Sequence, residues 1–187
     1  MKQHLVKNSF LRGVLCLLLC VAGIWNAYGQ KYQLITRTDS LITGKKYLIA
    51  SMQNGQGFVM KKYDGSSNNW KYVQSSASNS RIKYQEGMAR LKLGGNANAW
   101  TFCCDSTYYM DATSTEEHNY LKGSSDVDKY NEFSISFGND TAVITCTGKD
   151  SVNILRYNPD STFFSCYTSG QDPVYLYKEM DFTLSIS

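Results

Sequence analysis

Apolar residues in this chain fall in short runs separated by turn formers, and no long stretch shows the three-to-four-residue spacing of an amphipathic helix. The runs include Tyr47-Leu48-Ile49-Ala50, Arg90-Leu91-Lys92-Leu93, Trp100-Thr101-Phe102, Phe133-Ser134-Ile135-Ser136-Phe137 and Ala142-Val143-Ile144. Gly, Asn, Asp and Ser punctuate them, and the chain has only two prolines against 14 glycines and 14 tyrosines. Side chains that alternate in this way put one face on a core and the other toward solvent, so the pattern predicts an all-β fold of about a dozen strands. DGSSNNW and QSSASNSR, within residues 64 to 81, read instead as a pair of polar loops, long or mobile.

Internal comparison adds a threefold echo. At an offset of 62, KYLIASMQNGQGFVMK (46 to 61) lies over YYMDATSTEEHNYLKG (108 to 123), matching Tyr47 to Tyr109 and Ala50 to Ala112. At an offset of 33, then 34 after Gly138, residues from Asn98 onward lie over those from Asn131, matching Trp100 to Phe133 and Met110 to Ile144. Three hairpin-like units suit a small closed barrel with pseudo-threefold repeats, β-trefoil-like, because closure removes exposed strand edges. The unequal spacing of the units leaves an irregular β-barrel or a β-sandwich as the alternative. By the same echo, Cys146 shares a tight interior position with Ala50 and Ala112, and Trp100 belongs to the core with Phe133.

Residues 1 to 29 read as a secretory signal peptide. Lys2, Lys7 and Arg12 precede the apolar run VLCLLLCVAGI, and Ala27-Tyr28-Gly29 supplies small residues for cleavage before Gln30. That run is 11 residues long, where a membrane-spanning helix needs about 20. Leu17, Leu18 and Leu19 ahead of Cys20 do not make a lipid-attachment box. The expected location is therefore secreted, periplasmic or extracellular, with no transmembrane segment after cleavage and residues 30 to 187 as a single all-β domain.

The targeting segment also carries the whole net charge: without Lys2, Lys7 and Arg12, 16 of the 19 basic residues remain against 16 acidic ones. Within that neutral total, residues 31 to 92 hold 11 basic and 3 acidic side chains, and residues 93 to 187 hold 5 and 13. Lys45, Lys46, Lys61, Lys62 and Lys71 are the basic cluster to watch as a face that could attract anions. Without an arginine-rich stripe or a net positive charge, nucleic acid is not an expected partner.

Four cysteines remain after the leader, Cys103, Cys104, Cys146 and Cys166. Their pairing is open, with buried packing roles and at most one bridge expected. No CxxC spacing occurs and His118 is the one histidine beyond the leader, so no metal site and no cofactor are expected. Glu116 and Glu117 beside His118 lie in a turn, Asp126 and Asp128 fall short of a calcium ligand set, and there is no phosphate loop or GxSxG elbow. The chain is not expected to be an enzyme.

A secreted, tyrosine-rich β domain suits sugar binding, in which a ring stacks on a pyranose face while amides and ammonium groups bind hydroxyls. Trp70, Tyr72, Tyr108, Tyr130 and Tyr167 lie beside polar loops or out of phase with apolar neighbours, and with Lys61 and Lys62 they are the candidate ligand-binding residues. The expected function is a non-catalytic accessory or binding module whose partner is a glycan or polysaccharide. The alternative is a structural or protein-interaction partner, either an envelope-associated scaffold or a hydrolase inhibitor presenting the 64 to 81 loops.

GKKYLIAS, then WTF with STYYMDA and NYLKG, then LRYN, FFSCY and VYLYK together resemble an accessory all-β domain of secreted proteins from Gram-negative gut-type bacteria. The resemblance covers Tyr32 to Lys178. It implies a domain that sits beside extracellular hydrolases or nucleases without supplying catalytic residues. Five Asp-Ser or Asp-Thr pairs with a small or apolar third residue also resemble an O-glycosylation signal of such bacteria, which marks Ser40, Ser106, Thr141, Ser151 and Ser161 as candidate acceptors. The same pairs are natural turn formers ahead of a strand.

Overall fold

The computed structural model describes residues 29–77, 80–113 and 118–181. The proposed leader, apart from Gly29, lies outside the described residues, as do Glu116 and Glu117. From Lys31 onward, the described residues form one unit. Its opening strands are β1 (Lys31–Ile35), β2 (Lys46–Gln53), β3 (Gln56–Met60), β4 (Tyr72–Ser75) and β5 (Arg81–Lys83). The middle of the chain gives β6 (Leu91–Asn96), β7 (Ala99–Cys104), β8 (Tyr108–Asp111), β9 (Lys122–Ser124) and β10 (Phe133–Gly138). The last four are β11 (Thr141–Cys146), β12 (Ile154–Asn158), β13 (Phe163–Tyr167) and β14 (Tyr175–Glu179). Two short 3-10 turns, Thr38–Ser40 and Lys129–Asn131, are the only helical pieces among the described residues.

Every strand pairing is antiparallel, and the ladders make one large sheet that does not close into a barrel. The path runs β13-β12-β11-β10-β7-β6-β2-β14-β1-β5, with β3 and β4 attached to β2, and β8 and β9 attached to β7. β11 meets the residue ahead of β14 in an isolated bridge, Ala142 to Val174. Alternation is carried through in β11, where Ala142, Ile144 and Cys146 are buried while Thr141, Val143 and Thr145 are half-buried. That is the period-two burial the sequence predicts.

Two apolar clusters result. The larger holds Phe102, Phe133, Leu155, Tyr157, Phe164 and Leu176 among others. The smaller gathers Tyr32, Leu48, Val59, Ile82 and Tyr177 from β1, β2, β3, β5 and β14. A strand such as β2 that serves both clusters must be apolar on both faces. This accounts for the unbroken buried run from Tyr47 to Ser51.

Several expectations change. Gln74 and Ser75 belong to β4 rather than to a polar loop, and residues 64 to 70 are held by local hydrogen bonds. Trp100 is half-buried at the margin of the larger cluster, not fully interior. Phe133, its match in the echo, is its direct cross-strand partner, the one ladder pair joining β10 to β7. Ala50, Ala112 and Cys146 are all fully buried, as their shared smallness suggested, although Ala50 lies in the smaller cluster and the other two in the larger.

The two ion pairs that link the basic and acidic halves, Lys45–Asp181 and Lys62–Asp105 at 3.2 Å, bring opposite charges from the two segments together. The four cysteines are free and none is bridged. No helix among the described residues is long and apolar enough to cross a membrane, which says nothing about crossing with strands.

Asp111, at the end of β8, is partly buried, and burial holds its carboxyl above the usual carboxylate range despite a 2.6 Å hydrogen bond from the Thr113 amide. Its folded state therefore favours the proton, and this residue's contribution to stability is lost as pH rises through the raised value. Asn at this position keeps an acceptor for Thr113 and removes the charge. Thermal melts of Asp111→Asn should match the parent near pH 3 and lie above it at pH 7, with the difference opening as pH rises past the ordinary carboxylate value of about 4.

Candidate functional site

The candidate rings and lysines do not form one surface. Trp70 is the largest departure: it is 1% exposed, so it is not a stacking platform. Its backbone pairs with Phe164 in both directions, Phe164 N–H donating at 2.7 Å, and its indole Nε1–H donates to the Lys122 carbonyl at 3.1 Å. Tyr63 stacks on it with ring centroids 5.3 Å apart. Tyr63 in turn lies over Gly123, where an added Cβ would overlap the ring, so only glycine admits this packing. Tyr108, half-buried like Tyr63, packs edge-on against it and belongs to this stack.

Tyr130 and Tyr167 lie elsewhere. Tyr130 is in the second 3-10 turn, half-buried under the Lys129 ammonium, which stands 4.9 Å from its ring centroid. Asp128 caps that turn by accepting from the Tyr130 amide, so this carboxylate has a structural use. The Tyr167 hydroxyl accepts from Asn158 Nδ2 at 3.0 Å, and burial pushes its phenol up. Lys62 is paired with Asp105, which raises the ammonium's pKa.

What remains is Lys61 and Tyr72, and these two border the same groove. It has a volume of about 510 Å³ and lies between the end of the β3–β4 hairpin and the turn joining β12 to β13. One wall carries Lys61, Lys71 and Tyr72 with Ser67, Asn68 and Asn69; the other carries Ser161, Thr162 and Phe163. By contrast, the hollow on the Trp70 side of the same loop has no room for a water molecule.

Both walls are fixed by short-range chemistry. Asp64 accepts from the amide and hydroxyl of Ser66, at 3.0 and 2.9 Å, and these bonds hold its carboxyl below the usual range. The Tyr63 hydroxyl donates to the Ser67 carbonyl at 2.6 Å. Asn69 Oδ1 accepts from the buried Ser165 hydroxyl at 2.7 Å, and the Asn68 carbonyl accepts from the Leu121 amide at 3.0 Å. Across the groove, Asn158 Oδ1 accepts from the amides of both Asp160 and Ser161 at 3.0 Å, a side-chain-stabilised turn of the kind Asn favours. Tyr72 is set edge-on against Phe58 and Tyr157, with centroids 5.1 and 6.0 Å away.

The lining contains no carboxylate, imidazole or thiol. It offers amides, hydroxyls, two ammonium groups and two half-buried rings, Tyr72 and Phe163. His118 is exposed and stacked on Tyr120 at 4.9 Å. Burial raises the thiols of Cys103, Cys104 and Cys146, Cys104 to about 11, which disfavours the reactive thiolate. Among the described residues no three His, Cys, Asp or Glu side chains converge as a metal set.

Lys71 was legible as part of the basic group, and Tyr72 as a ring beside a polar loop. Ser67, Asn68, Asn69 and Phe163 were not, although the polar run from Ser66 to Asn69 directly ahead of Trp70 marked the place. The candidate acceptors all sit at turns or strand starts: Ser106, Ser151 and Ser161 are exposed, Ser40 ends the first 3-10 turn, and Thr141 donates to the Gly138 carbonyl at 2.7 Å. Comparison with protein-family models and with curated proteins found no match for the chain.

Proposed function

We propose that the chain is a secreted, non-catalytic saccharide-binding module of the accessory type, with the groove between the β3–β4 hairpin and the β12–β13 turn as its ligand site. The observation that carries this reading is the groove itself: hydrogen-bonded walls, two aromatic rings and a polar lining with no catalytic group. A preformed cleft with a few directed polar groups suits a small polar ligand, since little ordering is left to be done on binding.

We also read the topology as β-trefoil-like. Three two-stranded arms, β3–β4, β8–β9 and β12–β13, each separate one path strand from the next: β2 from β6, β7 from β10, and β11 from β14. The isolated Ala142–Val174 bridge, which sets β11 beside the start of β14, supports this reading, while the sheet itself stays open. In this arrangement the groove opens between the first and third arms, and β1 with β5 is an added layer. Export through the leader and membership of the accessory family complete the proposal.

Tyr72→Ala is the direct test. On a glycan array the parent chain is expected to bind a restricted set of saccharides, and the variant to lose roughly 10-fold or more in affinity for them. A blank array for the parent, or binding that Tyr72→Ala leaves intact, would sink the assignment of this groove.

A further inference from the structure

The β3–β4 hairpin holds an electrostatic conflict. Its ladder ends at the Met60–Tyr72 pair, and continuing that register by one residue sets Lys61 opposite Lys71. The Lys61 amide donates to the Lys71 carbonyl at 2.8 Å, so the pairing is real at the backbone. Side chains directly opposite on an antiparallel pair start from Cβ atoms about 5 Å apart, where like charges repel and destabilise. Both lysines are exposed and both border the groove.

Among the described residues no acid forms an ion pair with either lysine, whereas Lys45 and Lys62 each have an ion-pair partner. Asp64 attracts both charges, but it lies outside the groove's lining and makes no ion pair with either lysine, its Oδ1 accepting from the Ser66 amide and hydroxyl. The opposite wall supplies the Ser161 and Thr162 hydroxyls and the Phe163 ring, with no acidic group in the lining. Two adjacent ammonium groups over an uncharged polar groove are a cost to the free protein that an anion placed between them offsets.

From this juxtaposition we infer that the groove selects an acidic saccharide, one bearing uronate carboxylates or sulfate esters, over its neutral counterpart. Lys61 and Lys71 clamp the anionic substituent. Asn68, Asn69, Ser161 and Thr162 meet the sugar hydroxyls, and Tyr72 and Phe163 border the apolar ring face. The inference rests on the saccharide reading of this groove and names the class of sugar.

The test titrates the full chain by calorimetry with an oligogalacturonate, a sulfated galactan oligomer and a neutral galactan oligomer of equal length, at low salt and then with rising NaCl. Lys61→Gln/Lys71→Gln is compared with Lys83→Gln/Lys92→Gln, which removes the same charge at exposed positions outside the groove. At least one acidic oligomer is expected to bind roughly 10-fold or more tightly than the neutral one, and the two acidic arms identify carboxylate or sulfate as the preferred group. The groove variant is expected to lose about that factor, the control variant less than about 2-fold, and the parent to weaken as salt rises. The groove variant should also melt no lower than the parent, because the lysine repulsion is gone.

Equal binding of acidic and neutral oligomers, or full retention of acidic binding by Lys61→Gln/Lys71→Gln, overturns the inference. If the neutral oligomer still binds and Tyr72→Ala abolishes it, the saccharide reading survives that failure. If no oligomer binds at all, both fall. Displacement of the acidic oligomer by inorganic sulfate at matched charge concentration also overturns the inference, since the site would then hold an anion without reading the sugar.

Discussion

Trp70→Ala is expected to destabilise the fold by about 4 kcal/mol, the upper range for removing a large buried aromatic. The side chain is 1% exposed and among the largest fully buried groups. Truncation removes its stacking with Tyr63 and leaves the Lys122 carbonyl without the indole N–H. The cavity cannot collapse easily, because the Trp70 backbone stays paired to Phe164 and the loop ahead of it is pinned by Asn69 to Ser165. At roughly 2–4 °C per kcal/mol for a domain of this size, the melting temperature should fall by about 8–16 °C. Trp70→Phe fills most of the space and loses only the hydrogen bond and some packing, so its cost should be about a third of that. A Trp70→Ala melt within about 2 °C of the parent would contradict the buried placement and would return Trp70 to the list of ligand-binding rings.

The misassignment of Trp70 shows where sequence reading runs out in this chain. Residues Asp64 to Asn69 are polar, and a tryptophan at the end of such a run looks like an exposed ring. Its burial is decided instead by the bridge to Phe164, far along the chain, which no local pattern reports. Leu155 is legible as core because burial alternates along β12, whereas β13 buries Phe164 to Cys166 in succession and β14 buries both Leu176 and Tyr177. The same limit applies to the groove. Tyr72 and Lys61 are close in sequence and were both marked, but Phe163 and Ser161 join them only through the pairing of the third arm beside the first.

The internal echo behaves similarly. Trp100 and Phe133, matched by the echo, are also partners across a ladder. Adjacent antiparallel strands share a buried face, so selection for complementary apolar side chains makes partners look alike. Short β repeats therefore give alignments in which neighbours and equivalents are hard to separate. Charge polarity was legible as a count, yet the ion pairs from Lys45 to Asp181 and from Lys62 to Asp105 depend on which segments meet in space.

Lys149→Ala is the second large effect, expected at about 3 kcal/mol. Lys149 lies in the turn after β11, and it is 4% exposed, which is rare for a lysine. Its ammonium donates to the carbonyls of His118 at 3.2 Å and Ala112 at 3.4 Å, while Asn153 Nδ2 donates back to the Lys149 carbonyl at 2.9 Å. The turn is seated closely: a Cβ at Gly148 would overlap the Lys129 carbonyl. Removing the ammonium leaves acceptors unpaired in a place water does not easily reach, which costs more than the bonds themselves contributed. Lys149→Met keeps most of the stem volume and should recover about 1 kcal/mol, separating packing from polarity. The loss should also depend on pH. Lys149 partly offsets the burial that raises Asp111, so without the ammonium the Asp111 carboxyl goes further up. A carboxyl raised in the folded state costs stability above that value and nothing when protonated, so acidification toward about pH 3 should narrow the gap between Lys149→Ala and the parent. Urea midpoints at neutral and acidic pH decide the point: a gap that widens on acidification would mean that Lys149 does not act on Asp111, and a neutral-pH loss below about 1 kcal/mol would mean that the buried carbonyls find other donors.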